Sequence, residues 1–132
     1  MNLDLLTSLN SMVQDLSEEF HIREARTLGP EDVLGAAVER IAGAMLPGET
    51  DLRYDPLMKE VYICHLEWHP DDSARRVDPT LDEIVAAEII GRALAHTDVD
   101  VVVKGAGGEA WLAWRRGERR TFMPLPAGAD GA

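Results

Sequence analysis

The sequence lacks the features of secreted and membrane-spanning proteins. Cys64 is its single cysteine, so no disulfide can form within one chain, which is typical of a reducing compartment. No apolar run reaches the ~20 residues that span a bilayer. The opening stretch MNLDLLTSLNSMVQDL has no basic region of the kind that begins a secretion signal. We therefore expect a cytoplasmic protein that makes no membrane contact.

Positive charge is also scarce. The chain has 24 acidic residues against 13 basic ones, a formal net charge of -11. Such a chain repels nucleic acid phosphates and anionic lipid, which favours basic or apolar partners. Residues 104–120 are the exception, because five basic residues there face only Glu109 and Glu118. Those five are Lys104, Arg115, Arg116, Arg119 and Arg120.

The hydrophobic pattern predicts three helices. Apolar residues at steps of three and four indicate the first helix, from Leu3 to about Phe20. Pro30 at a first helical position begins the second, which Pro47 stops. Thr80 and Glu83 form a capping box at the start of the third, whose body IVAAEIIGRALA is almost entirely apolar. A helix of this kind is buried against a sheet or a partner.

Five strands are predicted around the third helix. DLRY and VYICHLEWH form a hairpin joined by DPLMKE, and PDDSARRVDP is a loop. DVDVVVK, EAWLAWRR and RRTFMPL then form a meander. The order ααββαβββ predicts a single α+β domain over residues 1–125, with its helices packed on an antiparallel or mixed sheet. Residues 126–132 are small and are predicted to be a flexible tail.

A candidate metal site lies on the strand VYICHLEWH. Strand periodicity predicts that Tyr62, Cys64, Leu66 and Trp68 face the core, and that the alternate residues face solvent. The solvent set includes His65, Glu67 and His69, ligand types that suit a divalent metal such as Zn or Mn. Their side chains are ~7 Å apart at each step along a straight strand, so they converge poorly on one ion. The alternative is a solvated strand face.

A candidate contact surface lies on the hairpin WLAWRRGERRTF. Arginine and tryptophan are enriched where proteins bind each other, and together they also stack on bases and pair with phosphates. The hairpin therefore predicts a protein contact or, against the global charge, nucleic acid binding through residues 104–120. A third alternative is a solvated turn neutralised by the chain's own carboxylates. The predicted partner-binding residues are Trp111, Trp114, Arg115, Arg116, Arg119 and Arg120.

No strong catalytic motif is present. Cys64 is predicted to be buried with a raised pKa, and His65 points to the other face of the strand, so the pair cannot form a nucleophile and its base. The glycines of VKGAGGEA are not followed by the Gly-Lys-Ser/Thr of a phosphate loop and predict a turn. Whether the chain is an enzyme stays open, with the balance against it.

The first half of the chain resembles the N-terminal domain of the NusA transcription elongation factor. MNLDLLTSL is similar to the start of that family, PEDVLGAAVERIAGA to its second helix, and DLRYDPLMKEVYI to its following hairpin. The resemblance covers residues 1–68, and Asp55-Pro56-Leu57-Met58 departs from the family's turn. It implies a non-catalytic module that docks on RNA polymerase.

These observations predict a non-enzymatic, acidic protein-interaction module of the bacterial cytoplasm with a regulatory, transcription-associated role and no cofactor. The almost entirely apolar third helix also suits a homodimer. One alternative is a small metal-binding protein or metal-dependent enzyme that uses His65, Glu67 and His69. The other is a nucleic acid binder that uses the Arg/Trp hairpin.

Overall fold

A computed structural model describes residues 30–126 together with Thr7, Leu9 and Ser11. Two helices and six strands lie within residues 30–126. In chain order they are α1 (Pro30–Met45), β1 (Thr50–Asp55), β2 (Glu60–Trp68), β3 (Ala74–Val77), α2 (Leu81–Ala93), β4 (Asp100–Lys104), β5 (Ala110–Arg115) and β6 (Glu118–Thr121). The predicted α+β class is confirmed. Most of the predicted first helix and nearly all of the predicted tail lie outside the described residues.

The six strands form one mixed sheet. Its order is β1-β2-β4-β5-β6, and only β2 and β4 run parallel to each other among the strand pairs described. β3 pairs with residues 65–68 of β2. At His65, β1 already pairs with one edge of β2, so β3 pairs with the other edge. β3 therefore lies beyond the end of β4, on the same side of β2. We call this meeting point of β3, β4 and the start of α2 the junction end of the sheet.

Both helices cover the same face of the sheet. α1 packs on β1 and β2, and α2 packs on β2, β4 and β5. The capping box predicted at Thr80 and Glu83 is present at the start of α2. Fully buried residues between the layers include Leu9, Val38, Val61, Ile63, Ile90 and Val103.

The loop predicted over residues 70–79 contains a strand that was missed. Ala74–Val77 pairs antiparallel with the second half of β2. Three of its four residues are exposed, and the side chains of Arg75 and Arg76 hide its strand character from a hydrophobicity pattern. The missed strand extends the hairpin into a three-stranded unit.

The predicted orientation of β2 is wrong. Val61 and Ile63 are fully buried under the helices, whereas Trp68, assigned to the core, is mostly exposed. Both faces of β2 carry apolar residues, so the alternation alone could not identify the helix-covered face. None of the helices within the described residues has the length and apolar character needed to cross a bilayer.

Candidate contact surface at the turn end of the sheet

His65 lies against α2 and not on a solvated face. Its Nδ1 is 3.0 Å from Oε2 of Glu83. Glu67 is exposed on the same strand, and His69 follows the strand's end. No three His, Cys, Asp or Glu side chains in the described part of the chain are placed to hold a metal ion. The structure therefore does not bring His65, Glu67 and His69 together as the metal hypothesis requires.

Glu83 is the centre of a buried hydrogen-bond network at the junction end. Its Oε1 accepts from the backbone N–H and the hydroxyl of Thr80, each at 2.7 Å. Its Oε2 accepts from the hydroxyl of Thr50 at 2.7 Å and contacts His65. Burial raises the pKa of this carboxyl, but these hydrogen bonds outweigh it and hold the pKa below its ordinary value. The network joins α2 to β1 and β2, which is a structural role.

Cys64 is fully buried, as predicted. Burial raises the pKa of its thiol, so the thiolate is disfavoured. The neighbouring Tyr62 lies on the same face of β2, and Lys104 Nζ is 4.5 Å from the centre of its ring. Lys104 also contacts Glu60 at 3.2 Å. Cation contacts within the chain lie on this face of the strand, and burial of the thiol disfavours the thiolate that a nucleophile requires.

The predicted Arg/Trp hairpin is divided between two faces. Trp114 is buried against α2, where a Cβ added to Gly91 would lie 2.6 Å from Trp114 Cγ. Its indole N–H has no acceptor among the described residues. Trp111 is half-buried and donates to Oε1 of Glu109 at 3.0 Å. Trp114 therefore serves the core, and the two tryptophans do not form one exposed contact patch.

The arginines of the hairpin divide in the same way. Arg119 pairs in register with Trp114 and shares its face, whereas Arg120 pairs with Ala113 on the other face. Arg115 Nε lies 3.4 Å from Oδ2 of Asp100, and Arg116 forms an ion pair with Asp98. The hairpin's charge is thus partly neutralised by the chain's own carboxylates.

Arg115 and Arg116 border a cleft that the sequence did not predict. The β1–β2 turn, the segment before β4 and the β5–β6 turn meet at one end of the sheet, which we call the turn end. The cleft between them has a volume of about 350 Å³. It is lined by Leu57, Met58, Lys59, Asp98, Asp100, Arg115 and Arg116.

Leu57 and Met58 present apolar side chains at this cleft. Leu57 is 93% exposed and Met58 is 65% exposed, which makes them the two most exposed large apolar residues described. The signal in the sequence was an apolar pair inside a turn that begins with Asp-Pro. Two polar turn residues would have been the usual choice there. An apolar pair in this position marks a candidate contact site.

The turn that carries Leu57 and Met58 is fixed at both ends. Oδ1 of Asp55 accepts the backbone N–H of Leu57 at 2.9 Å and of Met58 at 3.3 Å. At the other end of the turn, the carbonyl of Lys59 accepts from the backbone N–H of Asp100 at 3.0 Å. The side-chain ammonium of Lys59 contacts Oδ1 of Asp32 at 3.1 Å. The two exposed side chains are therefore held on an ordered backbone, which lowers the entropy cost of binding through them.

Comparisons with protein-family models, with curated proteins and with solved structures each find no match to this chain.

Proposed function

We propose that this chain is a non-catalytic, acidic protein-docking module that contacts its partner through the turn end. The observation that carries the proposal is the exposure of Leu57 and Met58 beside a cleft of about 350 Å³. Burying a side chain of this kind in a partner contributes roughly 1.5–3 kcal/mol. Two such residues on a fixed turn form a compact anchor, and methionine is enriched at protein interfaces.

A protein partner suits this surface better than nucleic acid. Arg115 and Arg116 each pair with a carboxylate of this chain, so the turn end lacks the uncompensated positive charge that would hold a polyanion without an apolar contact. The formal net charge of -11 adds long-range repulsion of any polyanion. Leu57 and Met58 also offer no hydrogen bonds to a phosphate backbone. The apolar anchor therefore favours a folded or peptide partner.

We further propose a transcription-associated role, with RNA polymerase as the first partner to test. Its support is the resemblance of residues 1–68 to the NusA N-terminal domain, a family that docks on that enzyme. Leu57 and Met58 lie in the turn that departs from the family's pattern, so the resemblance supports the choice of partner and not these two contact residues. The regulatory role and the bacterial cytoplasmic setting remain part of this proposal.

Site-specific photo-crosslinking tests the docking surface. A benzoylphenylalanine is placed at position 57 or, as a control, at position 122, because Phe122 is also exposed but lies past the far end of β6. In cells of the native host we expect one protein to crosslink from position 57 and not from position 122. No crosslink, or the same products from both positions, would overturn the proposal.

Purified components then test the partner. Labelled chain is titrated with purified RNA polymerase core enzyme, and we expect saturable binding that Leu57→Ser/Met58→Ser weakens at least tenfold. Phe122→Ser/Met123→Ser is the matched control, since both residues are exposed and apolar. A crosslink from position 57 to another protein, or to a second copy of this chain, would support the docking surface and would reject RNA polymerase as its partner.

A further inference from the structure

We propose that the segment docking at the turn end is acidic as well as apolar. Its apolar side chain would cover Leu57 and Met58, while flanking Asp or Glu residues would meet Lys59, Arg115 and Arg116. This inference rests on the proposed docking function and specifies the chemistry of the partner. It is unexpected for a chain with a formal net charge of -11.

In each ion pair at the cleft, the cation is more exposed than the carboxylate. Arg115 is 67% exposed against 26% for Asp100, and Lys59 is 42% exposed against 19% for Asp32. The pair formed by Arg116 and Asp98 has the same order. The carboxylates of Asp100 and Asp32 lie deeper than their cations, whereas Arg116 and Asp98 are both more than half exposed, at 68% and 53%. The cleft therefore presents a positive rim, although its cations and anions are nearly balanced in number.

Arg115 and Arg116 keep N–H donors that their own ion pairs do not use. A guanidinium carries five N–H donors, and the contact between Arg115 and Asp100 uses Nε. Arg116 contacts Asp98 through Nη2. Each arginine is therefore held in place by one carboxylate while its geometry allows a second. Charge-assisted hydrogen bonds of this kind are about twice as strong as neutral ones.

Two cations at the same cleft have a left-handed backbone conformation. Among the described residues other than glycine, only Lys59, Asp72 and Arg116 have positive φ. Two of these three are cations that line the cleft, with φ of 50° at Lys59 and 51° at Arg116. A left-handed conformation is unfavourable for a residue with a Cβ, because the Cβ approaches the following carbonyl oxygen. The position before Gly117 favours Asn or Gly in a two-residue hairpin turn, so arginine there is costly for the fold.

The acidic surroundings sharpen selectivity. Long-range repulsion slows the approach of any acidic partner, so carboxylates alone do not suffice. Only a segment that also covers Leu57 and Met58 gains enough contact to remain bound. The site then discriminates against polyanions without an apolar side chain and against basic segments, which the rim repels.

Unbiased peptide selection tests the chemistry. A phage-displayed library of random 12-residue peptides is panned on the full chain after depletion on the Leu57→Ser/Met58→Ser variant. We expect a consensus that combines Asp or Glu with Leu, Met or Phe. A consensus rich in Lys or Arg, or no enrichment, would overturn the inference.

Charge reversal provides the matched comparison. Binding of the synthesised consensus peptide should fall at least tenfold in Arg115→Glu/Arg116→Glu. It should stay within twofold in Arg75→Glu/Arg76→Glu, which reverses two neighbouring exposed arginines on β3 at the other end. Equal losses in both variants would show a general charge effect and would reject the positive rim. Circular dichroism confirms that each variant is folded.

Arg116→Gly separates binding from folding. We expect a higher melting temperature, because glycine relieves the left-handed strain, together with at least threefold weaker peptide binding. A rise in stability with unchanged binding would assign Arg116 no role in the contact. A crosslink at position 57 to a basic segment would reject the acidic chemistry and leave the docking function standing, whereas no crosslink would reject both.

Discussion

The two ends of the sheet place their charged side chains in opposite environments. At the junction end, Glu83 is fully buried and its carboxylate contacts Thr50, Thr80 and His65. At the turn end, Arg115 and Arg116 extend into solvent above their carboxylates, beside exposed apolar side chains. A polar group whose partners all lie inside the fold serves stability, whereas outward cations beside unburied apolar residues offer contacts to another molecule.

Removing Glu83 should give the largest effect. Glu83→Ala leaves the hydroxyls of Thr50 and Thr80 without their acceptor, and we expect a loss of about 3 kcal/mol in the free energy of unfolding. Urea denaturation measures it. Glu88→Ala on the same helix is the control, since its pair with Arg92 is an ordinary i,i+4 contact worth about 0.5 kcal/mol. Similar losses in the two variants would contradict the contrast between the ends.

Gly91→Ala should be the next largest change. Its new Cβ would meet Trp114 Cγ at 2.6 Å and Cβ at 2.7 Å, so the helix must move away from the sheet. We expect destabilisation by about 2 kcal/mol, although alanine favours helix. Gly43→Ala in α1 meets nothing within 4 Å and should stabilise by about 0.5–1 kcal/mol. A stabilising Gly91→Ala would break the assignment of Trp114 to the core.

Acidification should weaken the junction end selectively. The folded pKa of Glu83 lies below its ordinary value, so its ionised form contributes stability that is fully present above the unfolded pKa of about 4.3. That contribution is lost as pH falls through the folded pKa. The stability difference between wild type and Glu83→Gln should therefore narrow from pH 7 to pH 3. If the stability difference between wild type and Glu83→Gln does not change over that pH range, the charge of the carboxylate does not contribute to stability.

Changing the anchor at the turn end should have the smallest effect on stability. Leu57→Ser/Met58→Ser alters side chains that are already in water, so we expect a change within about 0.5 kcal/mol. Thermal melting and urea denaturation measure it alongside the binding assays. A large loss would mean that these residues support the fold and are not kept for a partner.

Local signals predicted more of the fold than of the site. The capping box at Thr80 and Glu83 was correct because it depends on residues three apart in the sequence. The orientation of β2 depends on which of its faces the helices cover. Alternation does not decide this, because the face of Val61 and the face of Tyr62 both carry apolar residues. The strand Ala74–Val77 depends on pairing with β2, since its own residues are mostly exposed.

The candidate site depended on long-range assembly. Lys59, Asp98 and Arg116 come from three separate connections that the sheet order brings together. The sequence also predicts Arg115 and Arg116 as contact residues, and it groups them with Trp114, which lies on the opposite face of the strand from Arg115. The sequence places Leu57 in a turn, but its exposure beside a cleft depends on segments that are distant in the chain.

The parallel pairing of β2 with β4 has a consequence for biosynthesis. β2 leaves the ribosome with β1 and β3 nearby in the chain, but the neighbour of Val61 on its remaining side is Val101, which is made much later. We expect the nascent chain to hold an open apolar strand edge during that interval, and therefore to depend on chaperones or rapid translation. Pulse-labelled amide exchange during refolding should show protection between β2 and β4 appearing after the protection between β1 and β2.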